Sequence, residues 1–93
     1  MRLTELDPRW WEDAVDRYGQ GISFVCPHCT VWRIIVHFSN PIDGSSPSKL
    51  AKTVLYRRRG ATFKDLTITP RVYAPDHARV LIVDGEVAWE ATG

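Results

Sequence analysis

Cys26 and Cys29 are the only cysteines in this 93-residue chain, and they stand two residues apart in Phe24-Val25-Cys26-Pro27-His28-Cys29-Thr30. Two thiolates at that spacing can hold one metal ion from a tight turn, or can cycle between dithiol and disulfide. A third reading gives them no chemistry, only the role of small buried apolar residues. The functional question turns on which of these applies.

Tetrahedral zinc needs four ligands at about 2.0–2.3 Å, most often Cys and His. The cysteine pair supplies two, and three histidines are available for the rest. His28 lies inside the turn, where its ring most naturally points outward. His37 follows Cys29 by eight residues on strand-like sequence, which puts it about 26 Å from the turn at 3.3 Å per residue. It reads as an ordinary strand histidine. His77 sits in a separate turn, Pro75-Asp76-His77, that folding can bring beside the cysteines. His77 is therefore the expected third ligand, and Asp76 can supply an oxygen as the fourth. A lone Cys-x-x-Cys leaves the remaining ligands open, where a second such pair would settle them.

The dithiol alternative also has sequence support. Cys-Pro-His-Cys resembles the active-site tetrad of oxidising members of the thioredoxin superfamily, which implies a thiol oxidoreductase using Cys26 and Cys29. Thr69-Pro70, about forty residues downstream, resembles that superfamily's proline opposite the cysteines. Thiolate activation there uses a helix starting at the first cysteine. The segment after Cys29, Thr-Val-Trp-Arg-Ile-Ile-Val-His-Phe, has strand composition instead.

Several elements must position these residues. Gly21–Val25 and Thr30–Phe38 read as strands, with the cysteines in the hairpin turn between them. Asp7-Pro8 followed by residues 9–19 reads as a short N-terminal helix, with Asp7 as cap, Pro8 in the first turn and Gly19 at the end. Residues 39–50 hold Asn-Pro, Asp-Gly and Ser-Ser-Pro-Ser and read as a surface loop. Residues 52–58 and Leu66–Thr69, continued by Val72 and Tyr73, are further strands. Ala78–Val83 and Glu86–Trp89 flank Asp84-Gly85, a strong hairpin signal. The expected fold is mainly β, built of antiparallel hairpins with a zinc-knuckle-like turn and one short N-terminal helix, in a single domain over 1–93.

Composition narrows the function classes. A chain this short buries a modest core, so a metal staple adds useful stability. Twelve Lys and Arg against eleven Asp and Glu leave a net charge of +1, without the basic excess of a dedicated nucleic-acid binder. No apolar run approaches the roughly 18 residues of a membrane span. Met1–Asp7 lacks the apolar stretch of a signal peptide, which points to the cytoplasm. In a reducing compartment a close cysteine pair favours metal or catalysis over a structural disulfide.

Arg57-Arg58-Arg59 is the one basic cluster, with Lys49, Lys52 and Lys64 nearby in sequence. It can contact phosphates or an acidic partner, or simply be a solvated loop end. Trp10, Trp11, Trp32 and Trp89 are many tryptophans for so small a chain. Most should be core, and any exposed one marks a protein contact surface. No phosphate-binding glycine loop, Ser-His-Asp set or paired carboxylates stand out.

The sequence as a whole resembles the domain-of-unknown-function family 6527 of phages, prophages and bacterial gene clusters. The resembling blocks are Leu3–Arg9, Ser23–Cys29, Asn40–Gly44, Thr62–Pro70 and His77–Trp89. The resemblance implies a small β-rich fold with one zinc ion. Cys26 and Cys29 match the family's first ligand pair, and its second pair is expected within Asp76–Arg79. His77 is kept, Arg79 stands where a second His is usual, and the family's occasional Cys falls near Asp76. The fourth ligand is then Asp76 or water. The expected function is a non-enzymatic zinc-binding phage or prophage protein that binds a host or phage protein, in host takeover or in blocking a defence system. The alternatives are a nucleic-acid-binding zinc module using Arg57, Arg58 and Arg59, and the thiol oxidoreductase above.

Overall fold

Alternating burial along short β-branched runs organises this chain into two antiparallel sheets. The computed structural model describes residues 1–13, 15–49 and 54–91. Sheet one has the order β1 (Arg9–Trp11), β2 (Gly21–Val25), β3 (Arg33–His37). Sheet two has the order β4 (Arg57–Arg59), β5 (Thr67–Ala74), β6 (Ala78–Val83), β7 (Glu86–Ala91). The start of the expected 52–58 strand, including Lys52, and the loop's last residue Leu50 lie outside the described residues.

Both sheets turn their apolar faces to one core. Ile22 and Phe24 of β2 pair in register with Val36 and Ile34 of β3, and all four are buried. The intervening Ile35 is 52% exposed, because successive side chains of a strand point to opposite faces. Ile68, Val72, Val80, Ile82 and Val87 close the core from sheet two. Parallel bridging of Phe38 to Tyr56 joins the end of β3 to the start of β4, and Arg2 bridging to Glu86 joins the N-terminal segment to β7.

The β6–β7 hairpin turns at Asp84 and Gly85 as expected, with φ of 48° and 75°. Positive φ at both residues is the primed turn that matches strand twist. Gly85 is fixed here twice over, since a Cβ at this position would collide with the Lys64 carbonyl.

The N-terminal helix is placed differently from the sequence expectation. The short helical element is a 3-10 turn at Leu3–Leu6, and no α-helix occurs among the described residues. Arg9–Trp11 is a strand, paired to Gly21–Ser23. Ala14, within the expected helix, lies outside the described residues. The tryptophans decide this through distant partners: Trp10 stacks on Phe63 at 4.3 Å, and Trp11 meets His37 edge-on at 4.5 Å. The 39–49 loop is tied down by polar contacts. Asp43 accepts from the amides of Tyr18 and Ser45, and Gln20 and Arg17 donate to the Ser46 carbonyl.

Candidate metal centre

The cysteine turn is closed by its own backbone. The Cys26 amide donates to the Trp32 carbonyl at 2.7 Å, extending the β2–β3 ladder into the turn. The Thr30 amide donates to the Cys26 carbonyl at 2.9 Å, and Thr30 adopts a left-handed φ of 61°. Cys26 continues the inward-facing series of Ile22 and Phe24 and is fully buried, while Cys29 is half-buried. On sheet two, the β5–β6 connection Pro75-Asp76-His77 is held by the His77 amide donating to the Ala74 carbonyl at 3.0 Å.

Packing of the sheets brings these two turns together. Donor atoms of Cys26, Cys29 and His77 all lie within 4.8 Å of one another, and this group could hold a metal ion. Cys29 Sγ and His77 Nδ1 are 3.7 Å apart. Bond lengths of about 2.3 Å for sulfur and about 2.05 Å for imidazole, at a tetrahedral angle, place such a pair about 3.6 Å apart. The spacing of this pair therefore matches what a small tetrahedral cation requires. Trp32 stacks on the His77 ring at 5.3 Å with 13° between planes, which fixes the ring's orientation.

The other expected ligands behave differently. Asp76, the expected fourth ligand, is exposed at φ 64° and is not among the three residues of the donor group. No fourth Cys, His, Asp or Glu joins the group among the described residues. Arg79 faces away: it pairs with Tyr73 across β5–β6 and reaches Glu90 at 3.7 Å. His28 points outward, 5.7 Å from Trp89. His37 is remote from the group, packed on Trp11, and burial lowers its pKa.

Cys29 is primed as a thiolate. Amide donation from Val31 and Trp32, the latter at 3.4 Å, and then the His77 ring lower its pKa from 9.0 to about 6. The folded chain thus binds fewer protons here than the unfolded chain between those values. The associated stability is complete above the unfolded pKa and is lost as pH falls through about 6. Alkylation of Cys29 in folded, metal-free protein should follow the same titration, since the thiolate is the nucleophile. The expected rate profile, read by peptide mass spectrometry, has its midpoint near 6, whereas a midpoint near 9 contradicts the geometry. Low thiol pKa also suits redox chemistry. Yet the helix that a thioredoxin-type site needs at its first cysteine is not there: residues 26–32 form a turn leading into β3.

Arg57, Arg58 and Arg59 form β4, and the pleat divides them. Arg58 is half-buried and donates to the carbonyls of Gly60 and Pro41, so its guanidinium is structural. Arg57 and Arg59 are exposed. Sequence reasoning missed the part played by Trp32. Its position three residues after Cys29 was the available signal, because a residue leaving the turn lies over whatever the turn holds.

No protein-family profile, curated protein or solved structure matches this chain.

Proposed function

We propose that this protein is a zinc-stapled, non-enzymatic module that acts by binding another protein. The observation that carries the reading is the meeting of Cys26, Cys29 and His77 beneath an exposed tryptophan stacked on the ligand ring. Two thiolates with one imidazole form a donor set suited to zinc. The ion's role in this reading is mechanical. It ties the β2–β3 turn to the β5–β6 turn, and so holds one sheet against the other.

The binding surface of this reading lies beside the ion. Trp32 is 58% exposed, and Val31, Ile35 and Tyr73 are exposed near it in the fold. A groove of about 310 Å³ runs between the sheets here, lined in part by Trp32, Ile35, Tyr56, Tyr73, Pro75 and His77. Clustered exposed apolar side chains mark interaction sites, and tryptophan is enriched at their energetic centres. The family resemblance adds a setting: a phage or prophage protein acting on a host or phage protein in the cytoplasm, in takeover or counter-defence.

Site-specific photocrosslinking in cells tests the reading. A photoreactive residue at position 32 is expected to trap one discrete protein, and Ile35→Asp in the same chain to abolish the adduct. Failure to trap a discrete adduct, or an adduct indifferent to Ile35→Asp, removes the proposed surface.

A further inference from the structure

We infer that the outward face of the four-stranded sheet binds single-stranded nucleic acid. The inference needs no residue of the metal site, and Tyr73 is the one residue that it shares with the groove beside that site. Arg57 and Arg59 project from β4 on this face, opposite Thr69 and Thr67 of β5. The ladder between β5 and β6 then shifts register between Ile68 and Val72. Such a bulge re-aims side chains, and Thr69, Pro70 and Arg71 are all exposed along it. Beyond it Tyr73 pairs directly with Arg79, whose guanidinium carbon sits 5.5 Å from the ring centroid. Four arginines thus share one open sheet surface with an aromatic ring that is 52% exposed.

The charge on this face is available to an anion. Arg57 and Arg59 have no carboxylate partner among the described residues. Arg71 and Arg79 share only Glu90, at 3.9 and 3.7 Å, with every group more than half exposed. Exposed pairs of this kind are weak and readily exchanged for phosphate. Glu86, the other acid on the face, is engaged by Arg2. Shallow grooves of about 320 and 350 Å³ follow the arginines, one along β4 and β5, the other between Arg71, Tyr73 and Arg79.

Arginine forks match phosphate oxygens, and a base has a face for Tyr73 to stack on. An acidic peptide would satisfy the arginines and leave the tyrosine idle. A duplex would keep its bases away from the ring, and no α-helix occurs among the described residues to enter a groove. The observations therefore favour a single strand. With a net charge of only +1, attraction must come from this face and not from the molecule's overall field.

Fluorescence anisotropy on zinc-loaded protein tests this, using a labelled oligothymidylate of about 12 nucleotides from about 25 to 200 mM salt. Three or four phosphate contacts predict a slope of log K against log salt of about −2 to −3. Arg57→Ala with Arg59→Ala should flatten the slope by about 1.4. Should that pair lower the melting temperature, Arg71→Ala carries the same test, with a flattening of about 0.7. Tyr73→Leu should weaken the oligonucleotide about tenfold and leave an abasic strand of equal length unaffected. Arg9→Ala, which removes one charge from the other sheet as Arg71→Ala does from this one, should change nothing. Three results would overturn the proposal: no saturable binding at the lowest salt, an abasic strand bound as tightly as the oligonucleotide, or an Arg9→Ala effect equal to that of Arg71→Ala.

Discussion

Removing the proposed zinc ion with a chelator is expected to lower the melting temperature of this protein by about 15–30 °C. Cys26 and Cys29 are in one sheet's turn and His77 in the other's, so the assembled donor group exists only in the folded chain. A ligand that binds only the native state stabilises it by about 4 kcal/mol when present at a thousand times its dissociation constant. In a domain of this size each kcal/mol moves the melting point by about 4–8 °C. Cys26→Ser and His77→Ala should each melt early, and neither should respond further to the chelator. Asp76→Asn should keep the wild-type response, because that carboxylate is outside the donor group. A wild-type shift below about 2 °C, or a His77→Ala protein that still responds, would contradict the account.

The largest effect from a single apolar substitution is expected at Phe24. It is fully buried between the sheets and paired with buried Ile34. Truncating such a side chain costs the transfer free energy of the ring plus the cavity it leaves, together about 3–5 kcal/mol for Phe24→Ala. That is a large share of the roughly 5–15 kcal/mol that holds a domain folded. Phe24→Leu should cost less, since it keeps most of the volume. Ile35→Ala, one position along β3 from Ile34 but on the exposed face, should stay within about 0.5 kcal/mol. Urea titration of the three variants reads this directly. Equal losses at Phe24 and Ile35 would mean that β2 and β3 face the core in another register.

Much of the fold could be read from local chemistry. Asp84-Gly85 between apolar runs specified its hairpin, because few residues tolerate positive φ at both turn positions. The β-branched run before His37 specified β3, although Ile34-Ile35-Val36 cannot show by itself which residues face inward. Only the pairing of Phe24 with Ile34 decides that.

Segment 7–19 was misleading for the opposite reason. Its cap, proline and glycine fit a helix locally, and Gly19 does adopt a positive φ of 65°. Phe63 beneath Trp10, distant in sequence, and β2 beside Arg9–Trp11 override them. The candidate site divides in the same way. Cys26 and Cys29 announce themselves by spacing, and His77 by lying in a turn able to reach them. Asp76 shares that turn, but its backbone conformation leaves it exposed and outside the donor group. The arginine face was half visible: Arg57-Arg58-Arg59 stood out as a block, while the strand pleat turns the middle one inward and leaves it half-buried. Arg71 and Arg79 join the face only through the β5–β6 register.

Metal content of the untagged protein tests the central claim most directly. Plasma emission spectroscopy on wild type, Cys26→Ser and His77→Ala should find about one zinc per chain in the first and essentially none in the other two, as expected when one tetrahedral ion needs both turns. Wild type without zinc, or a His77→Ala protein that retains it in full, would show that no ion joins the two sheets.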